Sequence, residues 1–204
     1  MSITIEELAT LLEQNEIHFG KKDDSSALVM SFSTDNYVDS DGDKGLLIVL
    51  TLEEDGEYFK CFAPAAFKVT GPNTRPFLEA CASIQWHMKL VQFEYDPSDG
   101  EVRPIIEFPV EDGTITAKQL LRCIHGLAQI VDDAYPILDK ALKTGVVDFS
   151  HSKMAETRIE GLVENLERMV ASGMLSREQA DEMAKILEHG GRSDGDDSEP
   201  PESL

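Results

Sequence analysis

Two tight-turn sequences, each flanked by β-compatible segments, constrain the fold of this chain more than any other feature. The first is EEDG at residues 53–56, where Gly56 can adopt positive φ, and the second is DPSDG at residues 96–100. A tight turn between two strands forms an antiparallel hairpin, so both sequences predict antiparallel pairing. The predicted strands are 27–32, 46–52, 58–69, 89–95 and 102–110.

Three prolines and one loop segment bear on where these predicted strands begin, break and end. Pro64 is expected to break or bulge the third strand, because proline cannot donate a ladder hydrogen bond. For the same reason, Pro104 and Pro109 favour an edge strand or a strand end. Residues 20–26, which precede the first strand, are predicted to form a loop.

Apolar residues recur at helical spacing in three segments, 3–14, 74–88 and 116–143. In the first and third segments, a threonine is followed three residues later by Glu or Gln, which is the spacing of a capping box. In the third segment, Pro136 is expected to kink the helix and Gly145 to terminate it.

Residues 1–149 therefore have the order helix, three strands, helix, two strands, helix. This order predicts an α+β domain in which an antiparallel sheet of about five strands packs against helices on one face. Residues 153–189 carry two further helical patterns around a short turn, which predicts a C-terminal helical hairpin. Residues 190–204 lack apolar periodicity and are rich in Asp, Glu and Pro, which predicts a disordered acidic tail.

The charge of the chain limits the partners that it can bind. With 39 Asp and Glu against 18 Lys and Arg, the formal net charge is −21 at pH 7. Such a charge repels phosphates and anionic lipids, so neither nucleic acid nor a membrane is an expected partner. No apolar run approaches the roughly 20 residues that span a bilayer, and the first residues lack a basic signal region. We therefore expect a cytoplasmic protein that attracts basic partners.

Residues that could catalyse a reaction do not form a recognisable motif. His125 lies two residues from Cys123 on the third helix, where side chains so spaced point in different directions. Glu107 alternates with apolar neighbours on a strand, which favours a structural placement. No nucleophile elbow, phosphate-binding loop or dinucleotide motif occurs. The sequence therefore predicts that the protein is not an enzyme and has no catalytic residues and no cofactor.

The acidic loop DSDGD at residues 39–43 resembles the start of a calcium-binding loop. An EF-hand that began at Asp39 would need Gly at its sixth position and Glu at its twelfth, where this chain has Lys44 and Leu50. The histidines show no HExxH spacing and the cysteines no CxxC spacing, so no metal site is predicted. The cysteines expected to be buried free thiols are Cys61, Cys81 and Cys123.

Four residues are candidates for contacts with a protein partner. Trp86, the only tryptophan, closes the second helix; its burial tendency favours the core, and its frequency in binding hot spots favours the surface, with the core preferred. Leu162, Leu166 and Met169 lie on the apolar stripe of the C-terminal hairpin. Two short helices bury too little surface to stand alone, so the first domain, a second subunit or a partner is expected to cover this stripe.

The segment 90–147 carries a family resemblance. It runs as a strand, the DPSDG turn, a strand that ends IIEFPV, the sequence EDGTIT, and a long helix. This pattern resembles the YbjN family, which is similar in fold to type III secretion chaperones, and the order of elements matches over residues 1–149. The resemblance implies an acidic domain, often dimeric, that binds protein segments and has no catalytic residues.

These observations together favour a non-enzymatic protein-binding module, either chaperone-like or a regulatory adaptor, that forms a homodimer through its first domain. The identity of the protein partner is not encoded in any motif. Two alternatives stay open at this point. One is an enzyme with a dispersed active site around His125 and Glu107, and the other is a self-assembly module that acts through the C-terminal hairpin.

Overall fold

The computed structural model describes residues 2–21, 26–150, 166–167, 170 and 176–189. The chain forms two units, Met1–Asp148 and Phe149–Leu204. The strands of the first unit are β1 (Gly20–Lys21), β2 (Ala27–Ser33), β3 (Gly45–Glu53), β4 (Tyr58–Phe62), β5 (Phe67–Lys68), β6 (Gln92–Asp96) and β7 (Glu101–Pro109). Its helices are α1 (Ile5–Gln14), α2 (Thr74–His87) and α3 (Ala117–Thr144), and a 3-10 turn, Glu54–Gly56, joins β3 to β4.

All seven strands belong to one antiparallel sheet. Strands β1 to β4 are neighbours in chain order, and β4 then pairs with β7. Strand β5 continues the line of β4 along the same side of β7, while β6 pairs with β7 from the other side. The α+β class and the antiparallel pairing that the two turns predict are confirmed.

Within the described residues the sheet has seven strands rather than about five. The predicted strand 58–69 is divided into β4 and β5 by residues 63–66, at the position where Pro64 is expected to interrupt it. The predicted loop 20–26 contributes β1, which pairs with β2 through only two residues. A pairing this short leaves no alternation of apolar and polar residues, so the sequence pattern contains no signal for it.

Pro104 contradicts the expectation that the prolines of β7 lie at an edge or a strand end. It lies in the middle of β7, between β6 on one side and the line of β4 and β5 on the other. Its carbonyl accepts a hydrogen bond from the N–H of Ala63 at 3.0 Å, so its backbone groups face the break between β4 and β5. The missing N–H therefore falls where regular pairing is already interrupted. Pro109 is the last residue of β7, as expected.

One face of the sheet carries the core. Helix α1 contacts β2, α3 contacts β3, β4 and β7, and α2 packs on α3 and β6. The alternation of burial along the strands shows that the helices cover one face, as predicted, while α1 to α3 leave the opposite face uncovered. The buried sheet residues of the core face include Leu28, Met30, Leu46, Ile48, Leu50, Phe59, Cys61 and Ile106.

The helix termini form as the sequence predicts. Thr4 with Glu7 makes a capping box at α1, and Thr116 with Gln119 makes one at α3. Gly145 ends α3 in the left-handed conformation, with φ of 74°. These caps satisfy backbone groups that a helix cannot satisfy internally, so they fix where each helix begins and ends.

Helix α3 continues through Pro136, which lacks the N–H for one helical hydrogen bond. Ala134, Ile137 and Leu138 on either side of Pro136 are buried. Their packing holds this part of α3 against the core and offsets the missing bond, so the helix continues to Thr144 as the spacing predicts.

Asp132 on α3 anchors the loop between β2 and β3. Its buried carboxylate accepts hydrogen bonds from the backbone N–H groups of Asp35 at 3.1 Å, Asn36 at 2.7 Å and Tyr37 at 2.7 Å. We call this group the Asp132 anchor. The Tyr37 hydroxyl continues the link by donating to the carbonyl of Ala66 at 2.9 Å. Burial, with a smaller contribution from the charge of Asp39, raises the pKa of Tyr37 to about 12.

The second unit contains the helix α4 (Arg177–His189), at the position predicted for the second helix of the hairpin. The Ser176 hydroxyl accepts from the N–H of Gln179 at 3.2 Å, and the Gln179 side chain accepts from the N–H of Ser176 at 3.0 Å, which is the predicted cap. Arg177 pairs with Glu167. None of the helices in the described part of the chain is long and apolar enough to cross a membrane.

Much of the predicted hairpin lies outside the described residues. Leu166 is helical and 8% exposed, so this member of the predicted stripe is buried within the chain. Leu162, Met169 and the predicted tail at 190–204 are not among the described residues.

Candidate protein-binding surface

Trp86 is 85% exposed, so the preference for a core position is wrong. The buried residues of α2 include Cys81 and Ile84. A residue two positions after Ile84 is rotated by roughly 200° around the helix, which places Trp86 on the side away from the core. The general tendency of tryptophan to be buried says nothing about how α2 is rotated. That rotation is fixed by the position of Ile84 in the core.

Leu90 lies in the same short segment and is 54% exposed. Its φ is +76°, a left-handed conformation that costs a residue with a Cβ about 1–2 kcal/mol. We call residues 86–90 the Trp86 corner. A large exposed ring and a strained, exposed leucine within five residues both oppose stability, and such coincidences occur at binding surfaces.

The Trp86 corner leads directly into β6, which lies at the edge of the sheet beyond β7. The side-chain carbonyl of Gln85, next to Trp86, accepts a hydrogen bond from the backbone N–H of Phe93 at 3.0 Å. This contact shows that the last turn of α2 reaches the outer side of β6. The edge strand and the exposed tryptophan therefore belong to one continuous surface.

Carboxylates dominate the hairpin that β6 forms with β7. Glu94 pairs with Arg103 at 2.6 Å, and both side chains are about two-fifths exposed. Hydrogen bonds from Ser98 lower the pKa of Asp96, which keeps this carboxylate ionised. An open groove of 320 Å³ runs along this hairpin and is lined by Glu94, Tyr95, Asp96, Pro97, Glu101 and Arg103.

The sheet face that α1 to α3 leave uncovered has a mixed surface. Leu47 is 46% exposed there. Lys60 bridges Glu53 at 2.9 Å and Glu107 at 3.6 Å, and the Arg103 guanidinium lies 5.2 Å from the ring centre of Phe62. Opposite charges are paired with one another on this face, so it carries less unbalanced charge than the chain as a whole.

The structure does not bring the candidate catalytic residues together. The exposed ring of His125 packs edge-on against Phe32, with ring centres 5.7 Å apart, on the helical side of the sheet. Glu107 pairs with Lys60 on the uncovered face. The sheet therefore lies between His125 and Glu107. Cys123, two residues from His125, is buried, and burial raises its pKa to about 11, which opposes formation of a nucleophilic thiolate.

The remaining site candidates have structural roles. Cys61, Cys81 and Cys123 are buried free thiols, as predicted. In the acidic loop, one oxygen of Asp39 accepts from the N–H groups of Asp41 and Asp43, both at 2.9 Å, so it stabilises its own turn. Within the described residues, no three His, Cys, Asp or Glu side chains cluster to hold a metal ion.

Sequence reasoning identified Trp86 and missed Leu90, Gln85 and the edge of β6. The sequence contained no signal for the corner, because the helical spacing over residues 74–88 continues through Trp86 and Met88. The outer edge of β6 had no signal either, because strand order within the sheet depends on contacts between distant segments.

Comparison with known proteins provides information on the fold. No family model and no curated protein matches the chain. Among solved structures, the chain is similar to the crystal structure of YbjN from E. coli, described there as a candidate transcription regulator. The match has a TM-score of 0.48 and 15% identity, and it covers 68% of this chain and 91% of that chain. At 15% identity the similarity concerns the fold alone.

Proposed function

We propose that this chain is a non-enzymatic protein-binding module, a chaperone or regulatory adaptor of the cytoplasm, and that the Trp86 corner is its main contact with the partner. The observation that carries the proposal is the 85% exposure of Trp86 beside the strained Leu90. Tryptophan is the residue most enriched in binding hot spots, and truncating such an anchor costs about 2 kcal/mol or more. That loss corresponds to roughly a 30-fold weaker dissociation constant.

The charge of the chain supports a basic protein as the partner. A net charge of −21 accelerates encounter with a positively charged surface and repels acidic proteins. Association driven in this way slows as ionic strength rises, because salt screens charges separated by more than about 10 Å at 0.1 M. The partner is therefore expected to associate more slowly and bind more weakly at high salt, while the contact with Trp86 persists.

Affinity capture with matched variants tests this proposal. The full chain captures a specific partner, Trp86→Ala reduces capture by about 30-fold, and Val146→Ala leaves it unchanged. Val146 is the control because it is also an exposed apolar residue but follows Gly145 at the end of α3, outside the Trp86 corner and the uncovered face of the sheet. Equal capture by Trp86→Ala and the unmodified chain would refute the role of the corner. Turnover of a small molecule without any partner would favour the dispersed enzyme instead.

Homodimer formation through the first unit belongs to the same proposal. The uncovered sheet face, with Leu47 46% exposed, supports it, because an open sheet face offers area for a symmetric contact. Light scattering at high micromolar concentration is expected to give the mass of a dimer. A monomer mass would remove this part of the proposal and leave the Trp86 corner untouched.

The C-terminal hairpin is the second binding element that we propose, and Leu166, which is 8% exposed, would support it by packing inside the chain rather than by touching a partner. Replacing Leu162 and Leu166 with Asp is expected to weaken partner capture or dimer formation more than it lowers the melting temperature of the first unit. Removing residues 191–204, which carry no apolar stripe, is the control and is expected to change neither. If the double variant alters neither mass, capture nor stability, the hairpin is dispensable.

A further inference from the structure

The outer edge of β6 has backbone N–H and C=O groups that point away from the sheet. Along β7, the backbone N–H and C=O groups of successive residues point alternately to the two neighbouring strands. The carbonyls of Gly100 and Pro104 accept hydrogen bonds from the N–H groups of Val69 and Ala63, on the side of β4 and β5. The residues opposite Val102 and Pro104 are Tyr95 and Phe93. Because these pairs make no ladder bonds, Phe93 and Tyr95 turn their N–H and C=O groups to the outside of the sheet.

Among the residues that the structure describes, the hydrogen bonds satisfy only part of this outward row. The N–H of Phe93 donates to the side chain of Gln85 at 3.0 Å. The N–H of Tyr95 and the carbonyls of both residues face outward at the position that a further strand would occupy. Because a side chain rather than a strand covers Phe93, an added strand can replace the Gln85 contact with a backbone bond at little cost.

A second copy of this chain fits the edge poorly. If β6 paired with itself about a two-fold axis at Glu94, the register in which Phe93 would bond Tyr95 of the other copy, the two Glu94 residues would stand directly opposite each other. Like charges in that position destabilise the pairing. Gln92 would meet Asp96, which gives no compensating charge. Like charge thus disfavours self-association in this register.

The same geometry favours a basic peptide. Glu94 and Asp96 project from the face opposite the helices, where Arg103 pairs with Glu94 at 2.6 Å. The two carboxylates outnumber this one cation, so Lys or Arg of an added strand on that face would meet net negative charge. The alternate residues of the added strand would lie on the face with Phe93 and Tyr95, beside α2 and the Trp86 corner, where apolar side chains are favoured. We propose that the outer edge of β6 binds an extended peptide of alternating basic and apolar residues as an added strand.

This inference rests on the proposed protein-binding function and specifies the segment that the partner offers. The probe is a capped octapeptide of alternating Lys and Val, measured by fluorescence anisotropy with the full chain. We expect it to bind at least about tenfold more tightly than two reference peptides. One reference has Glu in place of Lys, and the other keeps the side chains but is N-methylated on its amides.

Two pairs of variants test the backbone and the charge separately. Tyr95→Pro removes the outward N–H without breaking a bond to β7, whereas Tyr95→Val removes the ring and keeps the N–H. We expect Tyr95→Pro to weaken the Lys–Val peptide about tenfold relative to Tyr95→Val. Glu94→Lys is expected to weaken it more than Glu13→Lys, which makes the same charge change on the distant helix α1. Circular dichroism confirms that each variant is folded.

Several results would overturn the inference. Equal affinity for the N-methylated peptide, or equal binding by Tyr95→Pro and Tyr95→Val, would mean that charge alone attracts the peptide. A change from dimer to monomer mass in Tyr95→Pro, without peptide binding, would assign the edge to a second copy. If Trp86→Ala weakens partner capture and Tyr95→Pro does not, the proposed function stands and the strand site is ruled out.

Discussion

The Asp132 anchor buries a polar group, whereas the Trp86 corner exposes an apolar one. At the anchor, a charged carboxylate is 8% exposed and three backbone N–H groups satisfy it. At the corner, the largest apolar side chain is 85% exposed and a leucine has positive φ. The anchor breaks the rule that charges face water and the corner breaks the rule that apolar groups avoid it.

The two exceptions differ in how they are compensated. Hydrogen bonds within the protein compensate the buried carboxylate, so the anchor joins the β2–β3 loop to α3 and contributes to the stability of the fold. Exposure of Trp86 and the conformation of Leu90 have no such compensation among the contacts described for the corner. An exception that is compensated internally indicates a structural role, and for the one that is not we have proposed a contact with another molecule.

The largest expected effect tests whether the anchor alone carries stability. Asp132→Ala is expected to lower the free energy of unfolding by about 3 kcal/mol, because buried N–H groups lose their acceptor. Trp86→Ala is expected to change it by less than about 0.5 kcal/mol. Urea denaturation followed by circular dichroism measures both, and Asp132→Asn, which keeps one carbonyl oxygen, should lie between them. Equal effects of the two Ala variants would contradict the comparison.

A smaller effect concerns the pH dependence that Tyr37 gives to the anchored loop. Its pKa is raised to about 12 in the fold, against about 10 in an unfolded chain. The unfolded state therefore loses the proton first, so the contribution of Tyr37 is complete below about pH 10 and falls as the pH rises towards about 12. Tyr37→Phe should lower stability at pH 7 by about 1 kcal/mol through the lost bond to Ala66.

Melting temperatures between pH 8 and pH 12 (a range set by these two pKa values) compare the unmodified chain with Tyr37→Phe. The variant should lose less stability across the alkaline part of the range. Tyr135, whose pKa is also raised by burial, is present in both proteins, so the difference between the curves isolates Tyr37. Parallel curves would show that the hydroxyl of Tyr37 does not influence the alkaline loss.

The smallest expected effect tests whether the positive φ of Leu90 lowers the stability of the fold. Leu90→Asn should raise the free energy of unfolding by about 0.5–1 kcal/mol, because Asn adopts the left-handed conformation more easily than Leu. Leu90→Ala keeps the strain and is the control, so it should leave stability nearly unchanged. If binding uses the corner, Leu90→Asn also weakens partner capture. Loss of stability in Leu90→Asn would show that Leu90 packs structurally.

Local sequence chemistry determined the elements that depend on neighbouring residues. The EEDG and DPSDG turns fixed antiparallel pairing, and the two capping boxes with Gly145 fixed the ends of the helices. Helical spacing determined the length of α3. Each of these features arises from contacts within a few residues, so a single sequence contains the information.

Only the tertiary structure decided the features that depend on distant segments. Pro104 is tolerated because Ala63 faces it at a break in the sheet, and Asp132 is buried because residues 35–37 turn towards α3. Trp86 is exposed because Ile84 fixes the rotation of α2 against the core. The sequence shows each of these residues but not which residues they contact. Contacts between segments far apart in the chain are set by packing of the whole domain.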